Sequence, residues 1–286
     1  MVDATIASPL SQFAKLSCGG NDFIVVDCRA ALPATDLPAA ARSLCSRRFG
    51  VGADGLILLV PDEELPFGIK LLNADGSDAE VSYNGGRCVG LFAHQAGIAP
   101  ARFSFASAAG PIGVKVNGTV VTLMVPPPGE ARLGLELEEE GEGSEKVSGD
   151  AVVVGVPYLV IFRGDLDDPW VSRMPPRLRR HSAFPRGTNV AVARRRDEAL
   201  YEARFFERGV EEETLSSGSG CVAVAVTAAL RSGAPSPVTV ATGGGDFAIS
   251  FRRQGEKIVD VSTSGEVRFV YRGELTEQML ELIPGV

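Results

Sequence analysis

The 286-residue chain has little of what several protein classes require. Its five cysteines form no C-x-x-C pair, so neither a zinc framework nor a disulfide scaffold is expected. A net charge of −8 argues against nucleic acid as a general partner. The uncharged apolar runs, such as residues 221–230, are too short to span a membrane.

Signals for export are also missing. The first ten residues, MVDATIASPL, have neither the basic start nor the apolar core of a secretory signal. Unpaired cysteines are typical of a reducing compartment. We therefore expect a cytoplasmic protein without a membrane or nucleic-acid partner. The oligomeric state is left open, with a homodimer among the alternatives.

What the chain does have is many short strand-like segments and few helical ones. Apolar and β-branched runs between turn residues predict strands or hairpins at 21–27, 55–60, 67–73, 103–107, 114–125, 151–162, 189–194, 200–208, 237–242 and 246–261. Helical periodicity is best at 37–47, 86–95 and 219–231. This balance predicts an α+β fold and not a doubly wound sheet. The acidic part of residues 126–150 predicts a solvated loop.

An internal repeat organises the chain. At a shift of 135 residues, without gaps, the segment FIVVD falls on YLVIF, Phe49 falls on Phe184, and Ser82 falls on Ser217. Strands match strands and turns match turns, so we interpret the chain as two copies of one α+β unit. We place the first at residues 1–128 and the second at 129–265, and expect the tail 266–286 to pack back on the first.

The two serines stand at equivalent helix starts, in EVSYNGGRC and ETLSSGSGC. A helix N-terminus offers backbone N–H groups to an anion, and its dipole favours negative charge. Two equivalent halves usually face each other across a cleft. We therefore expect two helix ends to hold one carboxylate, with a serine on each side of it. Such a site suits removal of a proton from one face of a carbon and its return to the other.

Several segments together resemble one family. FAKLSCGGNDFIVVD, RRFGVGADG, LLNADGS, NGGRC, GTNV and ERG…ETLSSGSG match, in order, the signature segments of diaminopimelate epimerase, from Phe13 to about Gly265. The resemblance implies two pseudo-symmetric domains, each a mixed or antiparallel sheet wrapped round a central helix. It also implies epimerisation at an amino-acid α-carbon without metal or pyridoxal cofactor. In that family, one cysteine before each helix acts as the acid or the base.

Carried over by position, the resemblance implies a set of site residues. Ser82 and Ser217 take the positions of the two catalytic cysteines. The substrate contacts would be Asn21, Asn73, Asn84, Gly85, Asn189, Glu207, Arg208, Gly218 and Ser219. Of these, Asn84, Gly218 and Ser219 would lie in the turns that hold the reacting carboxylate, and Arg208 would anchor a carboxylate by bidentate bonds.

The departures from the family pattern affect the chemistry. Both thiols are serines, and Gly55, Tyr83, Val156 and Tyr158 also differ from the family residues. A serine hydroxyl is a far weaker acid than a thiol and needs an adjacent base. Neither histidine, His94 or His181, aligns with a catalytic role. Cys88 and Cys221, inside the helices, are expected to be core residues and not displaced catalytic thiols.

Three functions stay open from the sequence. The first is an epimerase of the diaminopimelate type. The second is a ligand-binding homologue that holds an amino acid or another small carboxylate without turnover. The third is an isomerase or tautomerase of a different small carboxylate. The motif G-V-G-A-D-G at 50–55 satisfies G-x-G-x-x-G, but a helix precedes it and a strand follows, so we discount a dinucleotide site.

Overall fold

In the computed structural model, residues 8–79, 82–138 and 145–283 are described, and they form two compact units. Unit 1 is Met1–Val121 with Val267–Val286, and unit 2 is Thr122–Glu266. The chain thus crosses from one unit to the other twice. In the part that the structure describes, no helix is long and apolar enough to cross a membrane.

The first half of the chain holds strands β1 to β7 and helices α1 and α2. The strands are β1 Gln12–Cys18, β2 Asn21–Asp27, β3 Gly55–Val60, β4 Gly68–Asn73, β5 Arg102–Ser107, β6 Gly110–Asn117 and β7 Val120–Met124. The helices are α1 Leu37–Cys45 and α2 Tyr83–Gln95.

The second half holds β8 to β16 and α3 to α6. The strands are β8 Ala131–Glu138, β9 Lys146–Val154, β10 Val156–Phe162, β11 Asn189–Arg195, β12 Leu200–Phe206, β13 Glu213–Thr214, β14 Val238–Thr242, β15 Gly245–Gln254 and β16 Lys257–Glu274. The helices are α3 Trp170–Arg173, α4 Pro175–Leu178, α5 Gly218–Ser232 and α6 Glu277–Glu281.

The two units use the same strand pairing. In unit 1, β1–β2 is antiparallel, β2–β3 parallel, β3–β4 antiparallel, β4–β5 parallel and β5–β6 antiparallel. In unit 2, β9–β10, β10–β11, β11–β12, β12–β14 and β14–β15 repeat that series. This mixed pairing with few helices confirms the α+β prediction.

An edge strand extends each series in the same way. The last residues of β16 pair antiparallel with β1, from Val267 opposite Cys18 to Glu274 opposite Gln12. In unit 2, β8 pairs antiparallel with β9. Both pairings contain a register irregularity. A shift of 135 residues places β8 on residues 266–273, so the repeat extends to these edge strands.

Each unit is built on its own central helix. Helix α2 packs on β1, β2 and β6, and α5 packs on strands from β8 to β15. Almost every residue of the two helices is buried, and the middle of α5, residues 221–230, is accordingly apolar on nearly every side. Helix α5 ends at Gly233, whose positive φ of 69° suits a glycine C-cap, as the sequence predicted.

The prediction of a solvated loop in the acidic stretch is wrong where β8 and the start of β9 lie. Strand β8 exposes most of its side chains and buries Leu137, so its composition is that of a polar edge strand. The buried Asp150 carboxylate accepts the N–H of Gly134 (2.8 Å) and a bond from Arg231 (2.9 Å), which secures this edge. Residues 139–144, also in that prediction, lie outside the described residues.

Smaller differences concern ends of elements. Helix α2 begins at Tyr83 and α5 at Gly218, earlier than predicted, because the serines before them are the N-caps. Strand β12 ends at Phe206, not 208, and α1 ends at Cys45, not 47. Strand β1 and the short helices α3, α4 and α6 were not predicted.

Candidate active site

Ser82 and Ser217 begin the two central helices in the same conformation. Ser82 has φ −140° and ψ 106°, and its Oγ accepts the N–H of Gly85 at 3.0 Å. Ser217 has φ −132° and ψ 114°, and its Oγ accepts the N–H of Gly220 at 3.1 Å. Both are N-caps of the usual kind. The N–H groups of the first helical turn have no intrahelical acceptor, so those that the serine does not accept are available to an anion.

Glycine at the third helical position lets each N–H approach its serine. A Cβ on Gly85 would lie 3.2 Å from Ser82 Oγ and 3.4 Å from the Phe23 ring. A Cβ on Gly220 would lie 2.6 Å from the Phe205 ring. The separation at Gly220 is much shorter than a normal contact, so a larger residue there would push the helix start away from its strand, whereas at Gly85 the neighbouring atoms would have to move only slightly.

In unit 1, Asn84 and Asn21 are joined near the serine turn. The Asn84 amide donates to Asn21 Oδ1 (2.9 Å), and the Asn21 amide donates to Asp54 Oδ2 (3.1 Å). The fully buried Arg87 donates to Asn84 Oδ1 (3.0 Å). The structure therefore brings two predicted substrate contacts together and orients both amides.

Asp54 belongs to a charged cluster that supports this pair. Arg47 donates to both Asp22 and Asp54, at 2.8 and 2.6 Å, and Lys15 Nζ lies 2.8 Å from Asp22. Burial by itself would raise the pKa of Asp22, but the bonds from Arg47 and Lys15 lower it overall. Asn73, in contrast, donates to Ser77 (3.0 Å) at the exposed end of β4.

In unit 2, a connected set of polar groups surrounds the serine. Ser217 Oγ donates to Glu207 Oε1 at 2.6 Å. The Tyr158 hydroxyl lies 2.8 Å from Ser217 Oγ and 2.8 Å from Ser219 Oγ. Tyr158 is 1% exposed and Ser217 3% exposed, so these bonds form away from bulk water. We refer to Ser219, Tyr158, Ser217 and Glu207 as the hydroxyl chain.

The titration of the hydroxyl chain follows from its burial. Loss of water around Glu207 raises the pKa of its carboxyl, and the bond from Ser217 offsets only part of that rise. Burial also raises the pKa of Tyr158, and the neighbouring Glu207 adds to the rise. The phenol of Tyr158 is therefore neutral throughout the physiological range.

Asn189 and Arg208 are joined to each other next to Glu207 in the chain. The backbone N–H of Arg208 donates to Asn189 Oδ1 at 2.7 Å, which fixes the buried amide beside the end of β12. The Arg208 guanidinium donates to the carbonyl oxygen of Arg186 at 3.2 Å. The four predicted residues Asn189, Glu207, Arg208 and Ser217 thus lie together in unit 2, with Gly218 and Ser219 beginning the helix.

The cysteines within the helices have no catalytic character. Cys88 and Cys221 are fully buried, and burial raises the pKa of Cys88 well above its ordinary value. The prediction that both are core residues is confirmed. Tyr83, which replaces a family glycine, is also buried, and desolvation raises its pKa to about 12.

The contact of Ser217 with Glu207 and Tyr158 was missed by sequence reasoning, which assigned Glu207 to substrate binding and treated Tyr158 as a departure from the family. A signal was present in the repeat. The 135-residue shift places Tyr158 on Phe23 and Glu207 on Leu72, so two polar groups stand where unit 1 has core side chains. A polar group at a core position of one copy indicates a partner inside that copy.

A cavity of about 270 Å³ in unit 2 is a separate feature. Its walls include Val171, Pro175 and Phe206, with Arg204 at one side. Arg204 is already bonded to Glu213, Ser172 and the carbonyl oxygen of Leu166. None of the predicted site residues lines this cavity, and we assign no function to it.

Comparison with known proteins agrees with the double architecture. The family model described as diaminopimelate epimerase matches residues 13–145 and again 150–270. Two matches, one per unit, confirm the internal duplication. A diaminopimelate epimerase from Methanothrix thermoacetophila is 37% identical over 284 residues, which cover 95% of this chain and 98% of the relative. One from Aquifex aeolicus is 35% identical and covers 94% and 99%.

Solved structures share the fold at low identity. A phenazine biosynthesis protein of the PhzF family from Bacillus anthracis has a TM-score of 0.71 at 14% identity, covering 93% of this chain and 99% of that one. A probable proline racemase from Agrobacterium radiobacter, with bound carbonate, has a TM-score of 0.71 at 13% identity, covering 93% of both chains. With the family model matching both units, and relatives above 30% identity along nearly the whole chain, this chain belongs to the diaminopimelate epimerase family of cofactor-independent isomerases.

Proposed function

We propose that the chain interconverts stereoisomers of diaminopimelate, or of a close amino-acid analogue, at one α-carbon. The observation that carries this proposal is the pair of serine-capped helix N-termini at equivalent positions of two duplicated units. Each provides N–H groups suited to a carboxylate and a hydroxyl at the position of a family acid or base. Family membership supports the same reaction.

In this proposal the residues divide into three roles. Ser82 and Ser217 transfer protons to and from the α-carbon, one serving each face. The helix starts at Asn84, Gly85, Gly218 and Ser219 hold the reacting carboxylate. Asn21, Asn73, Asn189 and Arg208 bind the remaining amino and carboxyl groups. Diaminopimelate offers such groups at both ends, which would occupy these side chains.

Solvent exchange tests the reaction directly. The protein is incubated with LL-diaminopimelate in heavy water, and deuterium at the α-carbon and the formation of the meso isomer are followed by NMR and chromatography. We expect both. A Ser82→Ala/Ser217→Ala double variant is the matched control and should lose both signals. No exchange above a protein-free blank, at high protein concentration, contradicts the proposal.

A second candidate is isomerisation of a different small carboxylate. The hydroxyl chain favours it, because a carboxyl in hydrogen-bond contact with Ser217 can serve carbon acids other than an amino acid. A panel of amino acids, 2-oxo acids and unsaturated dicarboxylates in the same exchange assay distinguishes the two. Calorimetric binding of a panel member, with no exchange for any, would instead make the chain a ligand-binding member of its family.

We further propose that the protein acts in the cytoplasm. All five cysteines are free thiols, which supports a reducing compartment. Fractionation of cells that express a tagged chain tests this location, and recovery with secreted proteins would contradict it.

A further inference from the structure

Glu211 has a backbone conformation that few side chains adopt. Its φ is 63°, in the left-handed region, where a Cβ costs free energy and glycine is preferred. The 135-residue shift places Glu211 on Gly76 of unit 1, whose φ is 87°. The turn thus has a positive φ in both units. Unit 1 has a glycine there, whereas unit 2 has a glutamate.

The contacts of the Glu211 carboxylate explain why this conformation is held. The carboxylate accepts two bonds from the Arg179 guanidinium, and the one from Nε is 2.8 Å long. It also accepts a bond from Arg180 at 2.9 Å and the backbone N–H of Gly209 at 3.2 Å. The bonds from Arg179 lower the pKa of Glu211 to about 2, so the carboxylate is charged in any assay buffer. Unfavourable backbone conformations that are held by several contacts are concentrated at functional sites.

The contact with Arg179 extends to Asn189. Arg179 is 9% exposed, and two bonds to one carboxylate fix the orientation of its guanidinium. Its carbonyl oxygen accepts the N–H of Thr188 at 3.0 Å. The buried Thr188 hydroxyl in turn donates to the carbonyl oxygen of Asn189 at 3.0 Å. The position of Glu211 therefore influences the start of β11, where Asn189 lies.

A second path runs from Glu211 to Asn189 through the loop after β12. The N–H that the Glu211 carboxylate accepts belongs to Gly209, directly after Arg208. The N–H of Arg208 donates to Asn189 Oδ1 at 2.7 Å, and its guanidinium donates to the carbonyl oxygen of Arg186 at 3.2 Å. The two paths form a closed ring of contacts. We refer to Glu211, Arg179, Thr188, Asn189 and Arg208 as the loop ring.

We propose that Glu211 is a positioning residue for substrate binding, which sets the location of the Asn189 and Arg208 side chains through the loop ring. This inference rests on the proposed function, in which these two side chains bind substrate groups away from the reacting carbon. Gly76 of unit 1 has no side chain to make such a connection. The device therefore belongs to unit 2 alone.

Substrate kinetics of Glu211 variants test the inference. Glu211→Gly suits the positive φ but removes the carboxylate, so it relieves the turn and opens the loop ring. We expect KM for α-proton exchange of LL-diaminopimelate to rise about tenfold and kcat to stay within about threefold, because Asn189 and Arg208 bind groups that do not react. Glu211→Gln keeps one accepting oxygen and should give an intermediate KM.

A purely structural role gives a different pattern. Loss of folded protein lowers the apparent kcat and leaves KM unchanged. Glu212→Gly is the matched control, because it makes the same change at the next residue, whose carboxylate has no hydrogen bond or ion pair among the described residues. Its KM should stay within about twofold of wild type. An equal rise of KM in this control, or no rise in Glu211→Gly, overturns the inference.

Arg179→Lys opens the loop ring at its second member. A lysine ammonium cannot make two parallel bonds to one carboxylate, so KM should rise by a similar factor. Glu211→Gly combined with Arg179→Lys should raise KM no further than the larger single effect, because both changes open the same ring. Effects on KM that multiply would show that the two residues act separately, and would contradict the inference.

Amide hydrogen exchange tests the positioning without a ligand. The N–H groups of Arg208 and Thr188 are bonded to Asn189 and Arg179, so Glu211 is not their acceptor. In Glu211→Gly both should exchange about tenfold faster, whereas amides of β10 in the same unit should keep their rates. NMR measures these rates residue by residue. Unchanged rates at Arg208 and Thr188 overturn the inference, whatever the substrate is.

The combined results keep the two proposals distinguishable. Exchange of diaminopimelate by wild type, with an unchanged KM in Glu211→Gly, overturns the role of Glu211 and leaves the proposed function intact. No exchange of any compound in the substrate panel by wild type overturns the proposed function. Amide hydrogen exchange then decides separately whether Glu211 positions Asn189 and Arg208.

Discussion

Ser82 in unit 1 and Ser217 in unit 2 cap the central helix of their own unit through the same bond, to the N–H of Gly85 and of Gly220. Around them the units differ. Unit 2 has Tyr158 and Glu207 in contact with the serine, whereas the equivalent residues of unit 1 are Phe23 and Leu72. Duplication has kept the backbone and its cap, and the polar partners of the hydroxyl have become specific to one copy.

The difference shows which features of the turn the fold requires. The cap and the glycine three residues on recur because the backbone at a helix start needs them. A carboxyl beside the serine is costly in a buried position, because desolvation disfavours its charge. Its presence in unit 2 is therefore better explained by function than by stability.

Placing the carboxyl in the other copy should have the largest effect. Leu72→Glu should lower the free energy of unfolding by about 4 kcal/mol at pH 7, because it removes a buried leucine and buries a charge. Burial raises the pKa of a carboxyl, so the charge-related part is absent below the unfolded pKa of about 4.3 and grows as pH rises toward the folded value.

Urea unfolding of Leu72→Glu and Leu72→Gln between pH 4 and pH 8 measures this. The glutamine variant controls for shape and polarity, and its loss of unfolding free energy should not depend on pH. Equal losses of unfolding free energy for the two variants at every pH would mean that a side chain at position 72 is hydrated and not buried.

Restoring thiols at both turns should raise activity. Ser82→Cys with Ser217→Cys should increase α-proton exchange by about 100-fold, because a helix N-terminus lowers thiol pKa toward the working range. The two new thiols should differ, since the negative charge of Glu207 raises the pKa of a thiol at 217 and none of the contacts at Ser82 among the described residues involves a carboxylate.

Iodoacetamide labelling rates as a function of pH, measured on each single variant, give both thiol pKa values. Each single variant should exchange on the face it serves and epimerise little. A double variant as slow as the parent with the whole substrate panel would contradict the proposed role of these positions.

Removing each hydroxyl should separate the cap from the hydroxyl chain. Ser82→Ala should cost about 1 kcal/mol, the usual value of an N-cap. Ser217→Ala should cost about 2 kcal/mol, because Glu207 and Tyr158 also lose a buried partner. Denaturant unfolding of both variants measures the difference, and equal losses would show that the hydroxyl chain adds no stability.

The smallest expected effect is that of Glu207→Gln on the free energy of unfolding. The pKa of the Glu207 carboxyl is higher in the folded state than in the unfolded state. The protonated carboxyl therefore contributes to the free energy of unfolding below the unfolded pKa, and this contribution is lost as pH rises through the folded pKa. The glutamine variant should therefore gain up to about 1 kcal/mol over wild type at pH 8 and nothing at pH 4. A gain at pH 4 equal to that at pH 8 would contradict the raised pKa.

Much of the fold was predictable because it follows local patterns. Strand β3 lies where the run GLILLV predicted it, and α2 and α5 follow from apolar periodicity bounded by Gly97 and Gly233. Strand β8 was not predictable from composition, because five of its eight side chains are exposed and its strand form depends on pairing with β9. An edge strand pairs with a neighbour on one side only, and its sequence shows only a weak alternation of apolar and polar residues.

By itself, the sequence determined the duplication, the serine caps and the family, because each is written in short segments at a constant spacing. The contacts of the serines were decided by the tertiary structure. Tyr158 lies 59 residues before Ser217 and Glu207 ten before it, and pairing of β10, β11 and β12 brings the three side chains together. Hydrogen bonds depend on angstrom distances that local pattern does not encode, so only the folded chain shows which serine has a carboxyl group beside it.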